Sequence, residues 1–401
     1  MTLSGCKTRD FLLALPVLLV AAHAWGDAGV HDSSVADNAI VKQAEGQLAR
    51  PLVTVMDKQL TPPSGDRHDY YAPAPYHWPN PRTADGLRYV LRDGQVNPEA
   101  NTPKYDRVAY FHFGDTVTTL SVAYAITGDQ RFAIRAAEWL RAWCLDPATR
   151  MNPNLEYAQC VRGVAKGLPI GLIRAMTILD LARCDRLLTG SAAWPADDHA
   201  TFVKWLAEFR RWFVDSELGK AEARAVNNHG TWHDAVSASL ALYLNDPATA
   251  RQAVERVKAT RIARQIAPDG RQPLEMLRTK SWDYAVMNLE ALVTLADVGR
   301  VVDVDLWSYQ TDDGRGIRGA LEYLLPFATG EKSWPAKQIK DFEPERLLPL
   351  VERAAVAVPD SQYAAALAKI KGSSTETRLR SRLLAVPLDC GGASGEESMG
   401  Q

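Results

Sequence analysis

The feature that most constrains the fold is a helical pattern that runs from about residue 115 to residue 369. Apolar residues recur there every three or four positions, which is the spacing of one face of an α-helix. Turn signals such as "TGDQ" and "NDPA" divide the pattern into segments of helix length, and no confident strand is predicted anywhere. The chain is therefore expected to be all-α.

The helical segments fall into successive pairs joined by short turns. The predicted pairs are residues 115–129 with 130–146, 168–184 with 197–219, 228–246 with 247–266, and 272–299 with 317–329. Further helices are predicted near residues 343–358 and 361–370. Short connections favour antiparallel neighbours, and the pairs share no fixed sequence repeat. They predict an α/α toroid, which is an incomplete barrel of about six to seven antiparallel helix pairs. The toroid is expected to form a single catalytic domain.

The segments around this domain differ in composition. Residues 1–24 carry a basic start, an apolar run and an A-x-A cleavage pattern, which predict a signal peptide and export to the periplasm or the medium. Residues 25–60 form an N-terminal segment, and residues 61–370 form the toroid domain. Residues 371–401 are rich in Gly, Ser and charge and are expected to be a mostly disordered tail.

Charge and cysteine content exclude several classes of protein. Without residues 1–24 the formal charge is −3, whereas a nucleic-acid-binding protein normally carries a strong basic excess. No other segment approaches the ~20 apolar residues that a transmembrane helix needs. The four cysteines of the mature chain match no zinc-binding spacing. One or two disulfides between them are possible, and the sequence does not determine the pairing. These cysteines are Cys144, Cys160, Cys184 and Cys390.

One stretch, "NNHGTWHD" at residues 227–234, places two amides, two imidazoles, a carboxylate and an indole at the start of a helix. A helix that only fills a core does not need these groups, and the continuation "AVSASLALYL" is apolar. Asn227 is suited to the N-cap position, so the alternative to a functional role for this residue is that it only caps the helix. Gly230 is expected to keep the helix entrance clear so that a ligand can approach closely. The stretch is therefore predicted to face a charged ligand.

Four motifs resemble the alginate lyase superfamily of secreted polysaccharide lyases. They are "NNHGTW.D", "PDG.QP.E..RT.S..Y...NLEAL", "DPATRMNPNLEYAQ" and "YYAPAPYHWP", which together span roughly residues 65–310. The branch that carries NNHG is the most similar. The resemblance implies an α/α toroid that cleaves a uronate polymer, in the first place alginate, by β-elimination; a glucuronan-type lyase is the alternative. It implies an acidic polysaccharide as partner, no cofactor, and a monomer.

The resemblance also implies roles for four residues at the centre of the site. Asn228 would neutralise the uronate carboxylate, and His229 would act as the base or assist it. Tyr284 would protonate the leaving O4, and would also serve as the base if Arg278 lowered its pKa. Arg278 would bind a carboxylate in a bidentate manner. The alternative for Tyr284 is a buried core tyrosine, and the alternative for Arg278 is a surface ion pair with Glu275 or Asp283.

Stereochemistry links these roles to the sugar. In mannuronate and glucuronate the C5 hydrogen and O4 lie on one face of the ring, so Tyr284 alone could act as base and acid. In guluronate they lie on opposite faces, which calls for His229 on one side and Tyr284 on the other. The first hypothesis is syn elimination on mannuronate with Tyr284 at the centre.

Further substrate-binding residues are implied by the same motifs. They are Asn227, Trp232, Tyr71, Trp78, Tyr157, Gln159, Arg162 and Arg174. Aromatic side chains of this set would stack on sugar rings, and Arg174 would pair with a distal uronate. A packed proline-aromatic loop is the alternative for Tyr71 and Trp78 of "YYAPAPYHWP", and a plain surface arginine is the alternative for Arg174.

Three other functions fit parts of the pattern. His229 and His233 have the spacing of two zinc ligands on a helix, but Gly230 stands where the metalloprotease motif has Glu, so no metal is expected. An inverting glycoside hydrolase needs two carboxylates about 6.5–9.5 Å apart. The carboxylates available for it are Asp234, Glu275 and Asp283. A silent glycan-binding protein would not need an acid–base pair.

Overall fold

The computed structural model describes residues 33–370 and 374–389. The predicted signal peptide and Cys390 lie outside these ranges. The helices are α1 (Ser33–Gln47), α2 (Arg107–Thr127), α3 (Gln130–Leu140), α4 (Ala175–Leu188), α5 (Ala196–Asp215), α6 (Glu217–Ala223), α7 (Asn228–Tyr243), α8 (Pro247–Val257), α9 (Ala263–Gln265), α10 (Pro273–Met276), α11 (Ser281–Val301), α12 (Ile317–Ala328), α13 (Leu348–Ala357), α14 (Ser361–Lys369) and α15 (Thr375–Leu384). The strands are β1 (Tyr71–Pro73), β2 (His77–Trp78), β3 (Val90–Leu91) and β4 (Tyr157–Cys160).

The long helices form an α/α toroid, as predicted. Helix α2 packs on α3 and α4, α7 packs on α8 and α11, and α11 packs on α12. The turn between α2 and α3 shows how the local sequence fixes such a pair. Gly128 ends α2 in the left-handed conformation (φ 71°), and the Asp129 side chain caps α3 by accepting from the Arg131 N–H.

The four short strands were not predicted. Strand β1 pairs in parallel with β4, with Tyr71 opposite Tyr157, and β2 pairs antiparallel with β3, with His77 opposite Leu91. Strands of two to four residues carry too little alternation to be recognised from a sequence pattern. They fix the proline- and aromatic-rich segment against the side of the toroid where α2 begins.

The prediction of a disordered tail is wrong for residues 374–389. Helix α15 forms there and buries Leu379 and Leu383. Its Arg380 donates to Glu290 and to Asp180, each at 2.7 Å, and therefore ties the tail to α11 and α4. Few residues of "TETRLRSRLL" are apolar, so its composition gave no signal of a packed helix.

The three described cysteines, Cys144, Cys160 and Cys184, are buried free thiols, so no disulfide links them. None of the helices in the described ranges combines the length and apolar composition that a bilayer crossing requires.

Candidate active site

One cavity of about 960 Å³ is lined by three of the four residues predicted at the centre of the site, His229, Arg278 and Tyr284. At one side of it, called here the upper end, lie residues from the starts of four helices: Phe111 of α2, Arg174 directly before α4, His229 of α7 and Tyr284 of α11. The amino-terminal end of a helix carries partial positive charge and unpaired N–H groups, which favour anions. The upper end is therefore suited to an acidic ligand.

His229 is held by a buried carboxylate. Its Nδ1 lies 2.6 Å from Oε1 of Glu222, whose side chain is only 2 % exposed. A carboxylate accepts hydrogen bonds and a neutral imidazole has one N–H, so this contact places the proton on Nδ1. Within the described residues no group bonds to Nε2 of His229, and that nitrogen keeps its lone pair for a ligand.

The two asparagines of NNHG lie in different environments. Asn228 is fully buried, and it donates to Glu275 from its backbone N–H (2.7 Å) and from its amide (2.6 Å). Burial raises the pKa of Glu275, and these two bonds oppose that rise. Asn227 occupies the N-cap position but makes no side-chain capping bond, and it lines the cavity. The carboxylate of Glu275 caps α7, and the amide that faces the ligand space is that of Asn227.

Tyr284 is bound by a guanidinium. Arg278 Nη2 donates to the Tyr284 hydroxyl at 2.8 Å, and the hydroxyl of Tyr76 is 3.5 Å from it. Burial raises the pKa of Tyr284 well above its ordinary value; the hydrogen bond with Tyr76 adds to the rise, and Arg278 opposes it. The direction of this shift does not favour a phenolate at Tyr284 in the free protein.

Arg278 is paired, though not with the carboxylates that the sequence offered. Its Nη2 lies 2.7 Å from Asp93, which also accepts from the backbone and hydroxyl of Thr279. Burial acts to raise the pKa of Asp93, but the hydrogen bonds from Arg278 and Thr279 outweigh it and lower the pKa to about 2. Asp93 thus remains ionised near neutrality and fixes the guanidinium against the phenol.

Two of the predicted substrate-binding residues besides Asn227 line the cavity. Gln159 lies in the left-handed region (φ 52°) and donates to the Ile170 carbonyl at 3.0 Å. The Arg174 guanidinium lies 4.5 Å from the ring centre of Phe111. No carboxylate of the described residues lies within ion-pair distance of Arg174, so this cation is available to an anionic ligand.

The other five predicted binding residues do not line the cavity. Trp232 is buried in the core and donates to the Met287 carbonyl at 3.0 Å. Trp78 donates to the Gln95 carbonyl at 3.0 Å and carries a guanidinium over its ring. Tyr71, Tyr157 and Arg162 belong to the strand region beside the cavity, where Arg162 pairs with a glutamate at 3.5 Å. The lining of the cavity therefore gives no support to a substrate-binding role for these five residues.

The glycine of NNHG serves the fold rather than the ligand. A Cβ on Gly230 would overlap the carbonyl oxygen of Ala225 and the guanidinium of Arg261. Arg261 donates to the carbonyls of Ala223 and Ala225 at 2.7 and 2.6 Å and to Asp234 at 2.7 Å. The expectation that Gly230 opens a path for the ligand is wrong, because the glycine is buried under this arginine.

The residues considered for a metal site and for a hydrolase have other partners in the structure. The ring of His233 stacks on Phe213 at 4.7 Å, so it does not share a ligand space with His229. The three carboxylates considered for a hydrolase are bonded to Arg261, to Asn228 and, at 3.6 Å, to Arg346. None of the three lines the cavity. The described residues also contain no group of three or more His, Cys, Asp or Glu placed to share a metal ion.

Sequence reasoning missed Glu222, Tyr76 and Asp93. Tyr76 stands inside the "YYAPAPYHWP" motif, so the signal was present but was not assigned to it. Glu222 and Asp93 reach the site through α6 and through the segment after β3, and no spacing in the sequence indicates those contacts.

The opposite side of the cavity, called here the lower end, is lined by residues about two turns further along the same helices, Asp180 of α4 and Glu290 of α11. Arg380 of α15 lies between them and bonds to both. Arg183 adds a second cation at 3.0 Å from Asp180. The lower end is therefore a set of charges that neutralise one another.

Comparisons with known proteins agree with this architecture. The sequence profile described as alginate lyase matches residues 54–334. An alginate lyase from Bacteroides ovatus is 31% identical, with 93% of this chain and 99% of that chain covered and a TM-score of 0.83. Alginate lyase A1-III from Sphingomonas species A1 is 18% identical, with 89% and 99% covered and a TM-score of 0.52, and shares the fold. The comparison with curated proteins gave no significant match.

Proposed function

This chain belongs to the alginate lyase family, and we propose that it cleaves alginate by β-elimination with His229 as the base and Tyr284 as the acid. The observation that carries this assignment is that both side chains line one cavity and each is held by a charged partner. The reaction removes the C5 proton, forms an enolate-like intermediate and breaks the C4–O bond to leave an unsaturated uronate.

The base is Nε2 of His229. An imidazole is useful as a base around neutrality, and here the other ring nitrogen is engaged by Glu222. The proton of C5 therefore moves to Nε2.

The acid is the hydroxyl of Tyr284. Its raised pKa keeps the phenol protonated in the free enzyme, which is the state needed to donate a proton to O4. As the proton leaves, negative charge develops on the phenolic oxygen. Arg278 already donates to that oxygen at 2.8 Å and stabilises the charge without reorganisation.

The uronate carboxylate needs neutralising because charge builds next to it when C5 loses its proton. Asn227 lines the cavity, which supports assigning this role to its amide, whereas Arg174, also on the cavity wall, would pair with a distal uronate and contribute to binding. Asn228, assigned this role by resemblance, acts instead through Glu275 to fix the start of α7.

The division of roles between His229 and Tyr284 bears on which alginate polymer the enzyme prefers, polymannuronate or polyguluronate. Syn elimination on mannuronate by Tyr284 alone requires a phenolate at the start, which the raised pKa of Tyr284 opposes. A separate base and acid can serve guluronate, whose C5 hydrogen and O4 lie on opposite faces. We therefore expect cleavage of polyguluronate as well as polymannuronate, in place of a strict mannuronate preference.

An ultraviolet-monitored digest of polymannuronate, polyguluronate and glucuronan, with products sized by mass spectrometry, tests the proposal. The expected result is a new near-ultraviolet absorbance and products with 4,5-unsaturated ends from both alginate polymers. Cleavage without absorbance would indicate a hydrolase. Binding without cleavage would indicate a silent glycan-binding protein.

Export and a monomeric state are part of the proposal. The pattern of residues 1–24 supports removal of a signal peptide after Ala24 and a periplasmic or secreted enzyme. The intact mass of the exported protein tests the cleavage site, and light scattering in solution tests the monomer.

A further inference from the structure

Glu222 is a buried acidic residue that the sequence motifs do not include and that does not line the cavity. It lies near the end of α6, and its side chain is 2 % exposed. Its Oε1 is 2.6 Å from Nδ1 of His229. An acidic side chain so buried is costly unless a hydrogen-bonding partner compensates it, and the partner here is the imidazole.

The contact has a chemical consequence. Which nitrogen of a histidine carries the proton is set by the hydrogen bond that the other nitrogen makes. A carboxylate at Nδ1 selects the Nδ1–H form and supports the positive charge that appears when Nε2 takes a proton. Because the carboxylate is shielded from water, this interaction is stronger than it would be at the surface.

The fold places Glu222 by a second set of contacts. The turn between α6 and α7 is held by Arg261, which donates to the carbonyls of Ala223 and Ala225. Arg261 fits there because Gly230 has no side chain. The glycine of the NNHG motif thus lets the end of α6 approach the start of α7, which is what brings Glu222 to His229.

Resting on the proposed function, we infer that Glu222 is the positioning residue that holds His229 in the Nδ1–H form and so makes Nε2 the acceptor of the C5 proton. Other charged groups act on the same imidazole: Glu275, bonded to Asn228, is near enough for its charge to interact with His229 and with Arg278. Glu222 differs from Glu275 because it touches the ring itself.

The test compares Glu222→Gln with Glu217→Gln in the full-length enzyme. Glu217 is on the same helix but is exposed and pairs with Lys220 at 3.0 Å. We expect E222Q to lower kcat on alginate about 100-fold or more, with KM within about threefold, since a wrong imidazole form removes the base but not the binding groups. The acid limb of the pH–rate profile should move to lower pH. E217Q should match the wild type in kcat, in KM and in the pH–rate profile.

A second measurement is independent of activity. Nitrogen-15 NMR of His229 should show the proton on Nδ1 in the wild type and a shift of population toward Nε2–H in E222Q. Glu222→Asp covers the case in which E222Q fails to fold, and it should retain the Nδ1–H form with reduced kcat.

Wild-type kcat and pH profile in E222Q, or an Nε2–H form in the wild type, would overturn the inference while the lyase assignment stands. Absence of unsaturated products from the wild type would overturn the proposed function, and the NMR result would still report on Glu222.

Discussion

The two ends of the cavity are lined by the same helices but differ in charge. At the upper end Arg174 has no carboxylate partner among the described residues, and residues at or beside the starts of four helices line the space. At the lower end Asp180 and Glu290 are paired with Arg380 from α15. A polyanion meets a guanidinium without an ion-pair partner at the upper end and paired charges at the lower end. We therefore expect substrate binding and chemistry at the upper end, whereas the ion pairs of the lower end join α15 to α4 and α11.

The largest effect is expected from Tyr284→Phe at the upper end. Removing the hydroxyl removes the acid that protonates O4, a contribution of about 10²–10⁴-fold in rate. Steady-state kinetics on alginate should show this loss in kcat with an unchanged melting temperature. Tyr124→Phe, at a tyrosine that does not line the cavity, is the control and should retain full activity. Retention of activity by Tyr284→Phe would remove this residue from the mechanism.

Arg380→Ala tests the lower end. Removing one partner of a largely buried ion pair leaves the other charges uncompensated, and the loss of unfolding free energy is expected to be about 3 kcal/mol. Chemical denaturation measures it, and kcat of the remaining folded enzyme should stay near the wild-type value. Arg378→Ala on the same helix, 3.5 Å from Glu352, should cost less. A fall in kcat without a loss of stability would place chemistry at the lower end.

Arg174→Ala is expected to weaken substrate binding. Loss of one charge pair with a uronate corresponds to about 1.4 kcal/mol, or about a tenfold rise in KM, with a smaller effect on kcat. The dependence of KM on salt should also decrease. The exposed Arg131, paired with Asp129 at 2.6 Å, provides a matched control in Arg131→Ala. Equal KM values for both variants would mean that the guanidinium of Arg174 does not contact the polymer.

The smallest effect concerns acid stability of the Asp93–Arg278 pair. Because the pKa of folded Asp93 is lowered from 3.8 to about 2, its contribution to stability is fully present above about pH 4 and is lost as the pH falls toward 2. The difference in melting temperature between the wild type and Asp93→Asn should be constant from pH 7 to 5 and shrink below pH 4. A constant difference down to pH 2 would contradict the assigned pairing.

The contrast also shows what the sequence could predict. The long helices follow from their apolar spacing. Of the four central residues that the motifs implied, His229, Arg278 and Tyr284 line one cavity and Asn228 does not. The role of each asparagine could not be predicted, because it depends on Glu275, which is distant in the sequence. Helix α15 was missed for a related reason. It is stabilised by ion pairs to α4 and α11, and its own composition does not indicate them.

A crystal structure of the Tyr284→Phe variant with an alginate oligosaccharide tests the central claim most directly. We expect one uronate ring at the upper end, with C5 within about 3.2 Å of Nε2 of His229 and O4 beside the site of the missing hydroxyl. A ring bound among Asp180, Glu290 and Arg380, or one whose C5 faces away from the imidazole, would contradict it.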